Sequence, residues 1–184
     1  LNLTKFDNGT IEIHYQLFPI QDLAFRTILM FESRLEKRNI TLEGLDSEPV
    51  QVWGDPDLIG QVIYNLFENA TKFVNTGGTI TFTFKDEPNS TSIAIRNTGA
   101  GISKEELPKI FERFYKSDDS RSHDKTGLGI GLDITKHIVR LHKAQISVSS
   151  EEGEYTEFLI RLPKKDAPAE SPTENPEKQP KDAR

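Results

Sequence analysis

The sequence predicts an α+β fold: a two-layer sandwich with helices over one face of a mixed, mostly antiparallel sheet. Three observations carry this. Apolar alternation runs over Thr79–Lys85 and Ser92–Asn97, and Gln145–Ser150 and Thr156–Leu162 also read as strands. Apolar residues recur at helical spacing over 21–38, 56–74 and 130–142. Turn signals separate these stretches, so helices interleave with strands within one domain of ordinary size.

Taken in order, Asp7-Asn8-Gly9 is a turn, and Thr10–Phe18 alternates like a strand through Ile11, Ile13, Tyr15 and Leu17, ending at Pro19. Residues 21–38 follow as a helix, with Leu23, Ala24, Thr27, Ile28, Phe31 and Leu35 on its apolar side. Two short strands come next, Ile40–Leu45 and Val50–Trp53. Asp55-Pro56 then reads as an N-cap with proline at the first helical position. The helix it starts carries the stripe Leu58, Ile59, Val62, Ile63, Leu66, Phe67, Ala70 and Val74, and Gly77-Gly78 is expected to stop it. Thr79–Lys85 and Ser92–Asn97 form an antiparallel hairpin across Pro88-Asn89-Ser90. Ser103 and Glu106 have capping-box spacing and should open a short helix. Residues 116–126 contain nothing more apolar than a threonine methyl and read as a mobile loop. The helix over 130–142 and the two last strands close the domain.

From Lys164 onward there is no aromatic and no large aliphatic residue, and prolines recur at 168, 172, 176 and 180. Such a segment cannot bury enough surface to offset its ordering entropy, so 164–184 is read as a disordered tail. The tail carries five cations and five anions, which leaves the whole net charge of −6 on the body. An acidic body argues against a nucleic-acid binder, although a metal and a few cations can still meet a nucleotide's charge. No cysteine is present, which excludes disulfides, thiolate catalysis and Cys-based zinc sites. The four histidines, at 14, 123, 137 and 142, lack metal-ligand spacing, and His137 and His142 are expected at a helix surface or boundary. No signal peptide or bilayer-long apolar run appears. The abrupt start at Leu1 reads as an excised fragment, with 1–9 the end of a linker.

The chemistry gathers in four places. At 100° per residue, Asn65, Asn69 and Lys72 fall within about 60° of one another on one helix face, beside the apolar stripe. Two amides and an ammonium on a rigid ridge suit a hydrated Mg²⁺ and the phosphates it bridges. Asn97-Thr98-Gly99-Ala100-Gly101 ends a strand in a glycine turn, with Asn97 placed to read a base edge. Gly127-Leu128-Gly129-Ile130-Gly131 leads into a helix, whose freed amides and positive end form a phosphate cradle. This is neither a Walker loop nor a dinucleotide fingerprint, because the spacing fits neither. Phe111, Phe114 and Tyr115 are packing residues that hold the near end of the loop.

In this order and spacing, the motifs Asn-X3-Asn-X2-Lys, Asn-X-Gly-X-Gly, Phe-Glu-Arg-Phe-Tyr and Gly-X-Gly-X-Gly resemble the N, G1, F and G2 boxes of bacterial sensor histidine kinases. The likeness is to their catalytic, ATP-binding domain and spans residues 1–163, with Asp55-Pro56-Asp57 and Phe158-X-X-Arg161-Leu162-Pro163 also matching. It implies the Bergerat (GHKL-type) fold over 10–163, ATP and Mg²⁺ as cofactors, and a role in two-component signalling. By position, Asn69 resembles the Mg²⁺ ligand and Asn65 its neighbour. Lys72 matches the phosphate-contacting lysine, and Phe73 an aromatic near the adenine. Gly99 and Gly101, with Ile102, form the adenine-side turn. Gly127, Gly129 and Gly131, with Thr126 and Leu128, flank the triphosphate, while Lys116 and Arg121 are lid cations for the γ-phosphate.

The resemblance further implies delivery of the γ-phosphoryl to a histidine on a separate dimerisation domain, and a response regulator as partner. It implies a monomeric, cytoplasmic fragment of a homodimeric, membrane-anchored parent. No phosphoacceptor histidine is recognisable, so the fragment alone should not autophosphorylate. Two other readings are a degenerate interaction module and a hydrolytic ATPase of the gyrase or MutL kind. The hydrolytic reading lacks a base, because Asn65 stands where those enzymes place a glutamate. Three positions depart from the family. Asn97 replaces an aspartate that accepts from the adenine amino group, so ATP binding should be weakened, and Asn97→Asp should strengthen it. Lys143-Ala144 replaces a common Gly-Gly, and Tyr155 a common glycine; both are expected to alter only local turns.

Overall fold

The computed structural model describes residues 12–112 and 130–166. Five strands form one sheet in the order β2 (Thr41–Glu43), β4 (Thr79–Asp86), β5 (Ser90–Thr98), β7 (Tyr155–Pro163) and β6 (Gln145–Glu151). Only β2 and β4 run parallel; the other pairs are antiparallel, as the alternation predicts. Register places Ile93 beside Phe84 and Ile160, and Ile95 beside Phe82 and Phe158, all buried on one face. Against that face pack α1 (Ile20–Lys37), α2 (Pro56–Phe73) and α3 (Gly131–Leu141), with α2 between the other two. A separate antiparallel ribbon joins β1 (Gln16–Pro19) to β3 (Gln51–Gly54).

The central helix follows from its sequence. Every member of the predicted stripe from Leu58 to Val74 is buried. Phe67 packs between Phe31 and Phe82, at ring distances of 5.4 and 5.5 Å, and burying one such side chain contributes about 2–3 kcal/mol. Asp55 caps the start, its Oδ1 accepting from the backbone N–H of Asp57 (3.0 Å) and Leu58 (3.1 Å). The far end departs from expectation. The helix stops at Phe73, before Gly77-Gly78, because Val74 turns extended, is buried, and bridges to Gly99. The Arg38 guanidinium donates to the carbonyls of Thr71 and Val74, satisfying acceptors that a helix end leaves open.

Elsewhere the first strand is shorter than its alternation suggests, covering Gln16–Pro19, while 10 and 11 lie outside the described residues. His14 is held instead by its N–H donating to Asp55 Oδ2 at 2.9 Å. His142 is not a surface residue: only 2% exposed, its Nε2 accepts from the Asp55 N–H (3.1 Å) and its Nδ1 lies 2.9 Å from the Ile138 carbonyl. A carbonyl can only accept, so the ring proton sits on Nδ1. Tyr15 packs edge-on against His142 and stacks on Trp53. Burial first, and the Asp55 charge second, push its phenol above the ordinary value. From Ser103 to Glu112 the chain forms turns, including the 3₁₀ turn Leu107–Lys109, and no α-helix; the Ser103 hydroxyl bonds the Glu106 carboxylate (3.3 Å). Lys164 and Lys165 still belong to the body: Lys164 pairs with Asp86 at 2.7 Å, and Lys165 lies over Trp53. Residues 167–184 and 1–11 lie outside the described residues.

Two helices end in the same way. After α1, Asn39 N–H donates to Glu36 O and Ile40 N–H to Leu35 O; after α3, Lys143 N–H donates to Arg140 O and Ala144 N–H to Val139 O. Both are Schellman motifs, with Asn39 (φ +51°) and Lys143 (φ +54°) in the left-handed region. The sequence suggests an altered turn at Lys143-Ala144; Lys143 instead adopts the conformation a glycine would take there, against its own preference. Lys143→Gly should stabilise the fold by about 0.5–1 kcal/mol, read as a raised denaturation midpoint.

Candidate functional site

The last two turns of α2 lie beside two other segments, which brings the predicted motifs together. Val74 bridges to Gly99 on one side, and on the other the Asn65 Nδ2 donates to the Gly131 carbonyl (3.0 Å) and to Thr135 Oγ1 (3.3 Å). The helical ridge, the turn after β5 and the start of α3 thus share one end of the sandwich.

Within the ridge the two asparagines have different environments. Asn65 is 6% exposed, and both ends of its amide are engaged: Nδ2 holds α3, and Oδ1 accepts from Gln61 Nε2 at 2.9 Å. Its side chain braces one helix against another. Asn69 is half-buried, and among the described residues none hydrogen-bonds to its side chain. Lys72 lies 3.4 Å from the Glu68 carboxylate one turn back. Phe73 is 36% exposed at the helix end.

Asn97 is 4% exposed at the end of β5, and its Nδ2 donates to the Thr98 carbonyl at 3.0 Å. Only the NH₂ can donate to a carbonyl, so this contact fixes the amide's orientation and leaves Oδ1 as the acceptor a ligand would meet. Gly99 (φ +150°) and Gly101 (φ +72°) both require glycine. A Cβ on Gly99 would lie 2.3 Å from Phe73 O, and one on Gly101 2.2 Å from Glu151 O. The close approach that glycine permits is therefore to neighbouring backbone. The turn is bound to the β6–β7 hairpin by Gly99 N–H to Glu154 O (3.1 Å), Gly153 N–H to Ala100 O (2.7 Å) and Ile102 N–H to Ser150 Oγ (2.8 Å). Tyr155, opening β7, lies under the Arg96 guanidinium at 3.7 Å from its ring centre.

Phe111 packs edge-on against Phe158, ring centres 6.1 Å apart, in agreement with a packing role. Phe114, Tyr115, Lys116, Arg121, Thr126, Gly127, Leu128 and Gly129 lie outside the described residues. Among the described residues there is no group of three or more His, Asp or Glu that could hold a metal. A full protein cage is not what Mg²⁺ with a nucleotide needs, since phosphates and water fill most of its positions. One open amide oxygen at Asn69 fits that donor set. Sequence reasoning did not single out Arg38, Thr98 or Ser150. Only Thr98 carried a signal, by lying inside the Asn97–Gly101 motif.

Residues 54–166 match the family described as histidine kinase-, DNA gyrase B-, and HSP90-like ATPases. The chain belongs to this family. Within it, the sensor protein SrrB of Staphylococcus aureus is 32% identical over 165 residues, which cover 89% of this chain and 28% of SrrB. The chain thus spans less than a third of the curated relative it matches. The catalytic domain of histidine kinase ThkA superposes with a TM-score of 0.70 at 27% identity, covering 82% of this chain and 95% of that domain. ThkA in complex with the response regulator TrrA matches with a TM-score of 0.68 at 25% identity, covering 82% of this chain and 42% of ThkA. This member is a sensor-kinase ATPase domain of α+β type, and the helix-over-sheet arrangement expected from the motifs is the one found. Among the described residues, no helix is long and apolar enough to cross a membrane.

Proposed function

We propose that the chain binds Mg-ATP between the end of α2, the Gly99–Ile102 turn and the start of α3, and presents the γ-phosphoryl to a histidine on the dimerisation domain of the same sensor kinase. The observation that carries this is the contrast within the ridge: Asn65 is committed to protein contacts, and Asn69 is open. Asn69 Oδ1 would ligate the metal, while Lys72 would meet the phosphates. A metal held there would supply charge neutralisation for the phosphates. Asn97 Oδ1 accepts a hydrogen bond from the exocyclic amine of adenine, its NH₂ being held by Thr98. The lid cations Lys116 and Arg121 and the glycines Gly127 and Gly129 enclose the triphosphate in this reading. Catalysis is then positioning and charge neutralisation, the acceptor imidazole supplying the nucleophile.

Nothing on the ridge favours attack by water. The position one turn before Asn69 is an amide bonded to α3, and Glu68 faces Lys72. Hydrolysis would need a base there. The scaffold reading rests on Asn97, whose orientation keeps an acceptor available and so weakens that case. The response regulator enters as partner through the likeness to ThkA, whose structure contains one. The site belongs on the cytoplasmic side, where ATP is supplied.

The test is transfer in trans. Mixed with a matching histidine-bearing dimerisation domain and γ-labelled ATP, the chain should label the histidine domain and should not label itself. No transfer to any matched domain would contradict the proposal. Asn97→Asp sharpens the adenine contact. A charge-assisted bond to the adenine amine gains about 1 kcal/mol of affinity, while the lost Thr98 bond is missing from the free and the bound variant alike and lowers its stability instead. ATP affinity by calorimetry should therefore rise several-fold in Asn97→Asp, and unchanged affinity would contradict this adenine contact.

A further inference from the structure

Resting on that nucleotide reading, we infer that Ser150 is a positioning residue for the adenine end of the site, acting through the backbone of Ile102. Its hydroxyl has one proton to give and two lone pairs to receive. The Tyr155 carbonyl, 2.6 Å away, can only accept, so the proton goes there. The Ile102 N–H donates to Oγ at 2.8 Å. The Thr156 hydroxyl, at 3.0 Å, is then the donor in its own contact with Ser150. The Ser150 hydroxyl is saturated, and it joins the glycine turn to both strands of the β6–β7 hairpin.

The remaining ties along the turn run backbone to backbone, from Gly99 to Glu154 and from Gly153 to Ala100. Among the described residues, Ser150 alone ties this turn to the hairpin through a side chain. It holds the residue directly after Gly101, where two glycines at positive φ leave the chain its widest conformational choice. Releasing Ile102 lets the turn sample other geometries, and Asn97 stands only two residues before its first glycine. The phosphate end, built from α2 and α3, shares no hydrogen bond with Ser150. The loss should therefore fall on adenine recognition alone.

Ser150→Ala, Ser150→Thr and the exposed-neighbour control Ser149→Ala separate this from a merely structural hydroxyl. Calorimetry with Mg-ATP should show Ser150→Ala weaker by about five- to tenfold, the value of one neutral hydrogen bond. Magnesium tripolyphosphate, which has no adenine, should bind all variants within about twofold. Ser150→Thr keeps the hydroxyl and should restore Mg-ATP binding, and Ser149→Ala should leave it unchanged. Equal losses for both probes, unaltered Mg-ATP affinity in Ser150→Ala, or failure of Ser150→Thr to rescue would overturn the assignment. Hydrogen exchange in the unaltered chain gives a reading that no variant's folding can spoil. The Ile102 amide should be protected like the amides of β5, and a freely exchanging amide overturns the inference. Binding of neither probe by the unaltered chain would instead remove the nucleotide reading beneath it.

Discussion

The carboxylate of Asp55 accepts three backbone N–H groups, from Asp57, Leu58 and His14, while its own N–H donates to His142. Four segments meet there: the entering chain, the end of β3, the start of α2 and the end of α3. Asp55 is buried, so each of those bonds replaces one to water that the folded chain cannot recover, and removing the carboxylate would strand donors. At the opposite end of α2, Arg38 grips the last carbonyls. A helix fixed at both ends cannot roll, and rolling by one residue would turn Asn69 through 100°. The direction of the open amide is thus set from both ends of α2, by Asp55 at the far end and by Arg38 close to Asn69.

The fold was legible where one local rule acted alone. The α2 stripe, its Asp55-Pro56 start and the β4–β5 hairpin follow from periodicity and capping, and all are found as the sequence suggests. Legibility failed where distant segments compete. Gly77-Gly78 looks like a helix stop, but pairing of Val74 with Gly99 and the reach of Arg38 end the helix sooner. His142 sits on a polar-looking helix end, and only the arrival of Asp55 from across the domain makes it a buried acceptor. A helical wheel places Asn65 and Asn69 on one face without saying what packs opposite. α3 accepts hydrogen bonds from Asn65, while no described residue hydrogen-bonds the Asn69 side chain, a difference no spacing within α2 encodes.

Chemistry and packing are divided among residues of the same type. Asn65 braces, and Asn69 remains open to a ligand. Asn97 spends its donor on Thr98 and keeps its acceptor. Gly99 and Gly101 bring backbone against backbone, and the resulting turn leans on the β6–β7 hairpin. On the proposed reading, the amide at Asn65 also favours delivery of ATP to another nucleophile over its hydrolysis. An amide already bonded to α3 cannot draw a proton from water.

The claim on which these points converge is that Asn69 is the metal-facing residue of an ATP site. ATP affinity measured by calorimetry with Mg²⁺ and then in excess chelator tests it directly, using the unaltered chain and Asn69→Ala. The account predicts that Mg²⁺ strengthens ATP binding in the unaltered chain and that Asn69→Ala abolishes this increment while leaving metal-free binding in place. An Asn69→Ala chain that keeps the full magnesium increment would contradict it.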